Sequence, residues 1–267
     1  MAIAYFLICL LLITLGAYSK DFNVVQLFLL SIGIIAVLFQ KFIHKGKIRD
    51  LGFKKCTFQQ AAKSVFIPVA VIFIIFLIDF VFGFIRIGSL SSLKSPYARG
   101  RIGVSALELV LIVLSSACLT FLASLITEEL GFRGYLISRL KKGGTLKALI
   151  FSSLLFGLWH LPLSFILFGS GILRSLIYSF NIFLLGILFG YVFLESGSLI
   201  PSSLFHGVWN ALEYALFGLG NFQELFIGKS RIIFDPEEGL VGSAVLGLFV
   251  LFYLLKFRKA QIRGLIK

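Results

Sequence analysis

Eight apolar runs separated by short polar segments set the rhythm of this chain. They fall near residues 2–18, 24–42, 64–85, 106–126, 148–168, 176–194, 199–217 and 240–257. Each approaches the ~20 residues that a helix needs to cross a bilayer. The runs are unbroken, whereas strands of a membrane barrel would alternate lipid-facing and lumen-facing residues, so a β-barrel is excluded. The pattern predicts an all-α, polytopic membrane protein, a bundle of about eight transmembrane helices forming a single domain over residues 1–267. No basic segment precedes the first run and no small-residue cleavage pattern follows it, so it reads as a retained span. Gly186-x-x-x-Gly190 and Ser243-x-x-x-Gly247 are small-residue spacings that let helices approach closely.

Composition agrees with the pattern. Hydrophobic residues make up 59% of the 267 positions and charged ones 14%, against roughly 25% charged in soluble domains. The net charge of +13 would point to nucleic acid in a soluble protein. Here it sits between apolar runs, where loop charge and anionic lipid account for it, and no nucleic-acid partner is expected. Lys41, Lys45, Lys47, Arg49, Lys54 and Lys55 mark the second loop, and Arg133, Arg139, Lys141, Lys142 and Lys147 the fourth. Lys256, Arg258, Lys259, Arg263 and Lys267 mark the tail. With eight crossings these share one side, which places both termini in the cytoplasm. Arg86, Lys94, Arg99 and Arg101 in the third loop run against that rule, while the acidic seventh loop with Glu224, Asp235, Glu237 and Glu238 follows it. Cys9, Cys56 and Cys118 are isolated, so neither a disulfide framework nor a thiolate metal site is indicated.

Against this background the polar residues within the runs stand out, because charge is costly in hydrocarbon. Glu129 and Arg133 lie four apart and share a helix face. Glu128 is turned about 100° away and cannot share that arginine equally. His160 lies inside the fifth run, just before Pro162. His206 and Asn210 stack four apart on one face of the seventh, with Glu213 near the same face and Gly207 leaving the backbone beside His206 uncrowded. Taken singly, each has an ordinary explanation: solvated acids at a helix end, or histidine and asparagine hydrogen-bonded between helices. Together they form a candidate site. Asp79 and Glu108 fall nearer span ends, as interfacial residues would, Asn181 reads as a packing hydrogen bond, and His44 belongs to a basic loop.

The chemistry follows from the residue types. A carboxylate can deprotonate water, imidazoles can pass a proton, and amide or imidazole donors can steady an oxyanion. That set suits hydrolysis of an acyl bond by water without a covalent intermediate. His160, His206 and Glu128 could also ligate zinc as a His₂Glu site, although the HExxH motif is absent.

Glu128-Glu129-x-x-x-Arg133, Phe156-x-x-x-His160 and His206-x-x-x-Asn210, in this order on separate helices, resemble the CPBP intramembrane proteases. The family is also called Abi or CAAX prenyl protease type 2 and includes the Ras-converting enzyme. The resemblance covers residues 120–215. It implies an eight-helix bundle with a conical intramembrane cavity, in which Glu128 activates water with His160. His206 and Asn210 would stabilise the oxyanion, and Glu129 with Arg133 would hold the geometry. It also implies a peptide or lipid-anchored protein substrate in the lipid bilayer, with zinc as a candidate cofactor in some accounts of the family. The compact loops point to a prokaryotic cell membrane. The rival readings are a non-catalytic scaffold or bacteriocin-immunity protein on the same fold, and a small transporter using Glu213 and the histidines. The transporter is disfavoured by the lack of repeats and paired broken helices.

Overall fold

The computed structural model of the chain describes residues 1–93, 103–218 and 224–262. Lys94, Arg99, Arg101, Arg263 and Lys267, used above in weighing orientation, lie outside the described residues. All eight apolar runs are helices. They are α1 (Ala2–Tyr18), α2 (Phe22–Leu38), α3 (Phe58–Val81), α4 (Ala106–Ile126), α5 (Thr145–Pro162), α6 (Gly171–Ser196), α7 (Leu199–Glu213) and α8 (Leu240–Ile262). The segments Phe22–Ile43, Phe58–Val81, Ala106–Gly143, Thr145–Leu167, Gly171–Ser196 and Leu240–Lys259 are long and apolar enough to cross a membrane. At 17 and 15 residues, α1 and α7 are shorter. The chain is thus an all-α, multi-pass membrane protein.

Local chemistry explains several helix starts. Asp21 caps α2 by accepting from the Asn23 amide at 2.8 Å. Reciprocal pairs open α3, through Thr57 and Gln60, and α4, through Ser105 and Glu108. Glu108 is therefore a capping residue. Asp79 lies at the end of α3 but is buried in the protein, and neither carboxylate oxygen has a hydrogen-bond partner.

The core sits around α6, where every residue from 181 to 193 except Phe183 is buried. Gly186 and Gly190 face α5, where a Cβ would lie 3.0 Å from the Ser153 Cβ and 2.4 Å from a Leu149 methyl. The other small-residue pair does not behave this way, since a Cβ on Gly247 would meet nothing within 4 Å. At the rim, α4 buries only Ile112 and Ser124 and packs against α7. Gly207 marks that crossing: a Cβ there would lie 2.7 Å from the Phe121 amide nitrogen and 2.8 Å from the Ala117 carbonyl oxygen. Its small size serves helix contact and leaves no free space beside His206.

Two short strands, Ile85–Ile87 (β1) and Phe226–Gly228 (β2), pair antiparallel with Arg86 opposite Ile227. They tie the segment after α3 to the segment after α7. Between β2 and α8, residues 234–239 fold back into the bundle and are all buried. This strap carries Asp235, Glu237 and Glu238, which hydropathy alone assigns to solvent.

Candidate active site

The site begins where α4 breaks. Thr127 leaves helical geometry at φ −118° and ψ −97°, its hydroxyl donating back to the Ala123 carbonyl at 2.7 Å. From Glu129 to Ile137 the chain then winds more widely, as a π-helix whose nine residues are all buried. Such widened turns recur at functional sites. This departs from the ordinary α-helical phase that the spacing of Glu128, Glu129 and Arg133 predicts. The wider winding still brings the i,i+4 pair together, with Glu129 Oε2 3.3 Å from Arg133 Nε.

Two phenylalanines surround that pair. The Arg133 guanidinium lies 4.1 Å from the Phe156 ring centroid and 5.2 Å from that of Phe189. With side chains 0% and 1% exposed, Glu129 and Arg133 are sealed from solvent. Glu129 also takes a second partner, its Oε1 lying 3.0 Å from His206 Nδ1. Phe189 stacks on the His206 ring at 4.9 Å and 15°.

Glu128 projects differently. Its Oε2 lies 3.6 Å from His160 Nε2 and 3.9 Å from His206 Nε2. At 13%, its side chain is the most exposed of these groups, against 9% for His160 and 6% for His206. The anchored acid is therefore enclosed, and the other is partly exposed, although its Oε2, which faces the histidines, is buried with no hydrogen-bond partner. Each histidine's tautomer follows from its second nitrogen. His160 Nδ1 sits 2.9 Å from the Phe156 carbonyl, and His206 Nδ1 faces the Glu129 carboxylate. Both partners only accept, so both Nδ1 atoms carry hydrogen and both Nε2 atoms face Glu128.

Asn210 lies one turn beyond His206 and donates its amide to the Tyr214 hydroxyl at 3.2 Å. The structure thus brings Glu128, His160, His206, Glu129 and Arg133 into one cluster, with Asn210 one helical turn from His206. Hydropathy did not single out Phe156 and Phe189 as the rings around Arg133, nor Tyr178, whose ring is 6.0 Å from His160. Phe156 already stands in the Phe156-x-x-x-His160 motif, where a residue four before His160 shares its face. Phe189 and Tyr178 carry no sequence signal distinct from ordinary core. Glu213 is buried with Oε2 unpartnered, and its acidic neighbours are Glu237, Asp235 and Glu238 of the strap.

The donor set does not match a zinc site as it stands. With bonds of ~2.1 Å, tetrahedral ligands sit about 3.4 Å apart. Glu128 is further than that from both imidazoles, and among the described residues no group of three or more His, Cys, Asp or Glu side chains is arranged to hold a metal ion.

Among curated proteins, none matches the chain. Residues 109–212, from the first turn of α4 to the last of α7, match the family described as type II CAAX prenyl endopeptidase Rce1-like. That stretch holds Glu128, Glu129, Arg133, His160, His206 and Asn210, so the buried polar cluster of this multi-pass membrane protein lies within the part of the chain that is similar to the Rce1-like family.

Proposed function

We propose that the chain is an intramembrane endopeptidase that cleaves a membrane-associated peptide or lipid-anchored protein with a glutamate-activated water. One observation carries the reading: Glu128 Oε2, buried and without a hydrogen-bond partner, faces the Nε2 atoms of two histidines at 3.6 and 3.9 Å inside an apolar bundle. Glu129 is fully buried and engaged by both Arg133 and His206.

The groups divide the work as follows. A carboxylate oxygen and the neutral His160 Nε2 both offer lone pairs, so a water hydrogen-bonded to both is the natural occupant between them. Glu128 takes a proton from that water as its oxygen attacks the scissile carbonyl carbon. The oxyanion formed is held by the imidazolium Nε2–H of His206 and by the second Nδ2–H of Asn210, whose first goes to Tyr214. Collapse of the tetrahedral intermediate breaks the C–N bond as Glu128, aided by His160, returns the proton to the leaving amine. Glu129 and Arg133 do not touch substrate. They hold His206 in the orientation this requires, its Nδ1–H on Glu129 and its Nε2–H free for the oxyanion.

A farnesylated and an unprenylated quenched-fluorescence peptide, offered to the protein in phosphatidylethanolamine/phosphatidylglycerol vesicles, test the reading. Cleavage should fall at least ~100-fold in Glu128→Ala and His160→Ala, the usual contribution of acid–base groups. Undiminished cleavage by Glu128→Ala, with the protein folded, overturns the mechanism. Failure of the parent on both peptides, with partner binding intact in Glu128→Ala, favours the scaffold instead. Full activity after chelation, with no zinc by elemental analysis, removes the metal-dependent route.

A further inference from the structure

The strap between β2 and α8 is held at every step. Asn181 of α6 donates its amide to the Glu237 carbonyl at 2.9 Å and to the Gly239 carbonyl at 3.1 Å. Asp235 accepts from the Glu237 and Glu238 amides at 2.9 and 2.8 Å and pairs with Arg231 at 2.8 Å. Arg231 in turn donates to the Phe217 and Gly218 carbonyls at the end of the α7 segment. Held this way, the strap turns Glu237 inward, 5% exposed, where its Oε1 accepts from Trp209 Nε1 at 2.6 Å. Trp209 is fully buried on α7, three residues after His206 and next to Asn210.

From this arrangement we propose that Glu237 is a positioning residue: through Trp209 it fixes the roll of α7, and so the aim of His206 and Asn210 at the oxyanion. The inference rests on the catalytic reading given above. Two carboxylates grip successive turns of one short helix. Glu129 from the α4 extension holds His206, and Glu237 from the strap holds Trp209. Neither grip alone sets rotation about the helix axis, whereas two at different azimuths do. A site displaced by ~1 Å loses on the order of 100-fold in rate, so a second hold has a catalytic consequence. A buried indole N–H needs only some acceptor. A carboxyl group on a clamped strap supplies one at a fixed position.

The test uses full-length protein in the same vesicles with the two peptides. Glu237→Leu removes the acceptor, Glu237→Gln keeps it, and Trp209→Phe removes the donor. The expected result is a kcat about 10- to 100-fold lower in Glu237→Leu and Trp209→Phe, with KM within about twofold, and a kcat near the parent's in Glu237→Gln. In an Asn210→Ala background the Glu237→Leu loss should shrink, because the donor it aims is gone. Since the chain has two tryptophans, a Trp159→Phe background isolates Trp209 emission, which should shift in Glu237→Leu and recover in Glu237→Gln. A kcat within twofold of the parent in Glu237→Leu overturns the inference, as does a full and additive loss in the Asn210→Ala background. If Glu237→Leu does not fold, Trp209→Phe with unreduced kcat overturns it equally. If the parent cleaves neither peptide, the catalytic reading fails and this role with it, whereas a cleaving parent with an indifferent Glu237→Leu removes this role alone.

Discussion

At the residue scale, two adjacent acids face opposite demands. Glu129 neutralises a buried arginine, and removing one partner of a buried pair costs ~3–5 kcal/mol because the other is left uncompensated. Glu128 is partly exposed and makes no close ion pair. Thermal unfolding in detergent should separate them. Glu129→Ala should melt well below the parent, while Glu128→Gln should melt at or above it and be inactive, since a site built for reactivity is relaxed when its charge is removed. Equal melting losses would mean that Glu128 too is structural. This division was legible before the structure, because adjacent helical residues point apart and only Glu129 is four from Arg133. The role of Glu237 was not, since a loop acid beside Pro236 reads as solvated. Burial pushes its carboxyl up to about 8, with Asp235 and Glu238 beside it adding to the rise and Trp209 and His206 opposing it. A carboxyl raised on folding contributes stability below its unfolded value that is lost as pH climbs through the folded one. The melting temperature should therefore decline between about pH 5 and pH 8 and level off above that, with a smaller decline in Glu237→Gln. An identical decline in that variant would show that another group is responsible.

Elements add what single residues cannot. Hydropathy located all eight helices, because a lipid-crossing run has to be apolar whatever its neighbours. It could not locate the break at Thr127 or the widened turn after it, since both arise from packing around the Glu129–Arg133 pair and leave no periodic trace. Nor could it tell which small-residue pair makes a contact. Gly207 and Gly247 are both helical glycines in apolar runs, yet only the first meets backbone atoms of a neighbour. Gly207→Ala should force α7 from α4 and cost ~1–3 kcal/mol, as overpacking does, with a fall in cleavage because His206 and Asn210 ride on α7. Gly247→Ala should leave melting and cleavage near the parent, and gain slightly from helix propensity. Equivalent behaviour of the two variants in a melting series would refute the α4–α7 crossing as described.

At the scale of the whole molecule, packing bears on a question that helix length leaves open, whether α1 and α7 cross the membrane. Both are short by residue count, but their ends match those of longer neighbours. The Leu199 amide donates to the Gly52 carbonyl at 2.9 Å, which sets the start of α7 level with the loop preceding α3. At the other end, the Gly88 amide donates to the Leu225 carbonyl at 2.7 Å, beside the β1–β2 pairing, level with the segment following α3. Thus α7 joins the two ends that α3 joins, and the wider-wound Tyr214–Gly218 supplies the missing length. The N-terminal amine lies within electrostatic reach of His44, just past the end of the α2 segment, so α1 runs back along α2. This arrangement predicts eight crossings, two more than the six that length and hydropathy identify, and with them a common side for the N-terminus and the loop that holds Cys56. Labelling with a membrane-impermeant maleimide in sealed vesicles checks this, taking the native Cys56 alone, then Ala2→Cys and Lys20→Cys in a Cys56→Ser background. Cys56 and the Ala2→Cys variant should label from the same face, the one rich in lysine and arginine, and Lys20→Cys from the opposite face. Labelling of Ala2→Cys and Lys20→Cys from one face would mean that α1 lies along the membrane surface, leaving seven crossings and the termini on opposite sides.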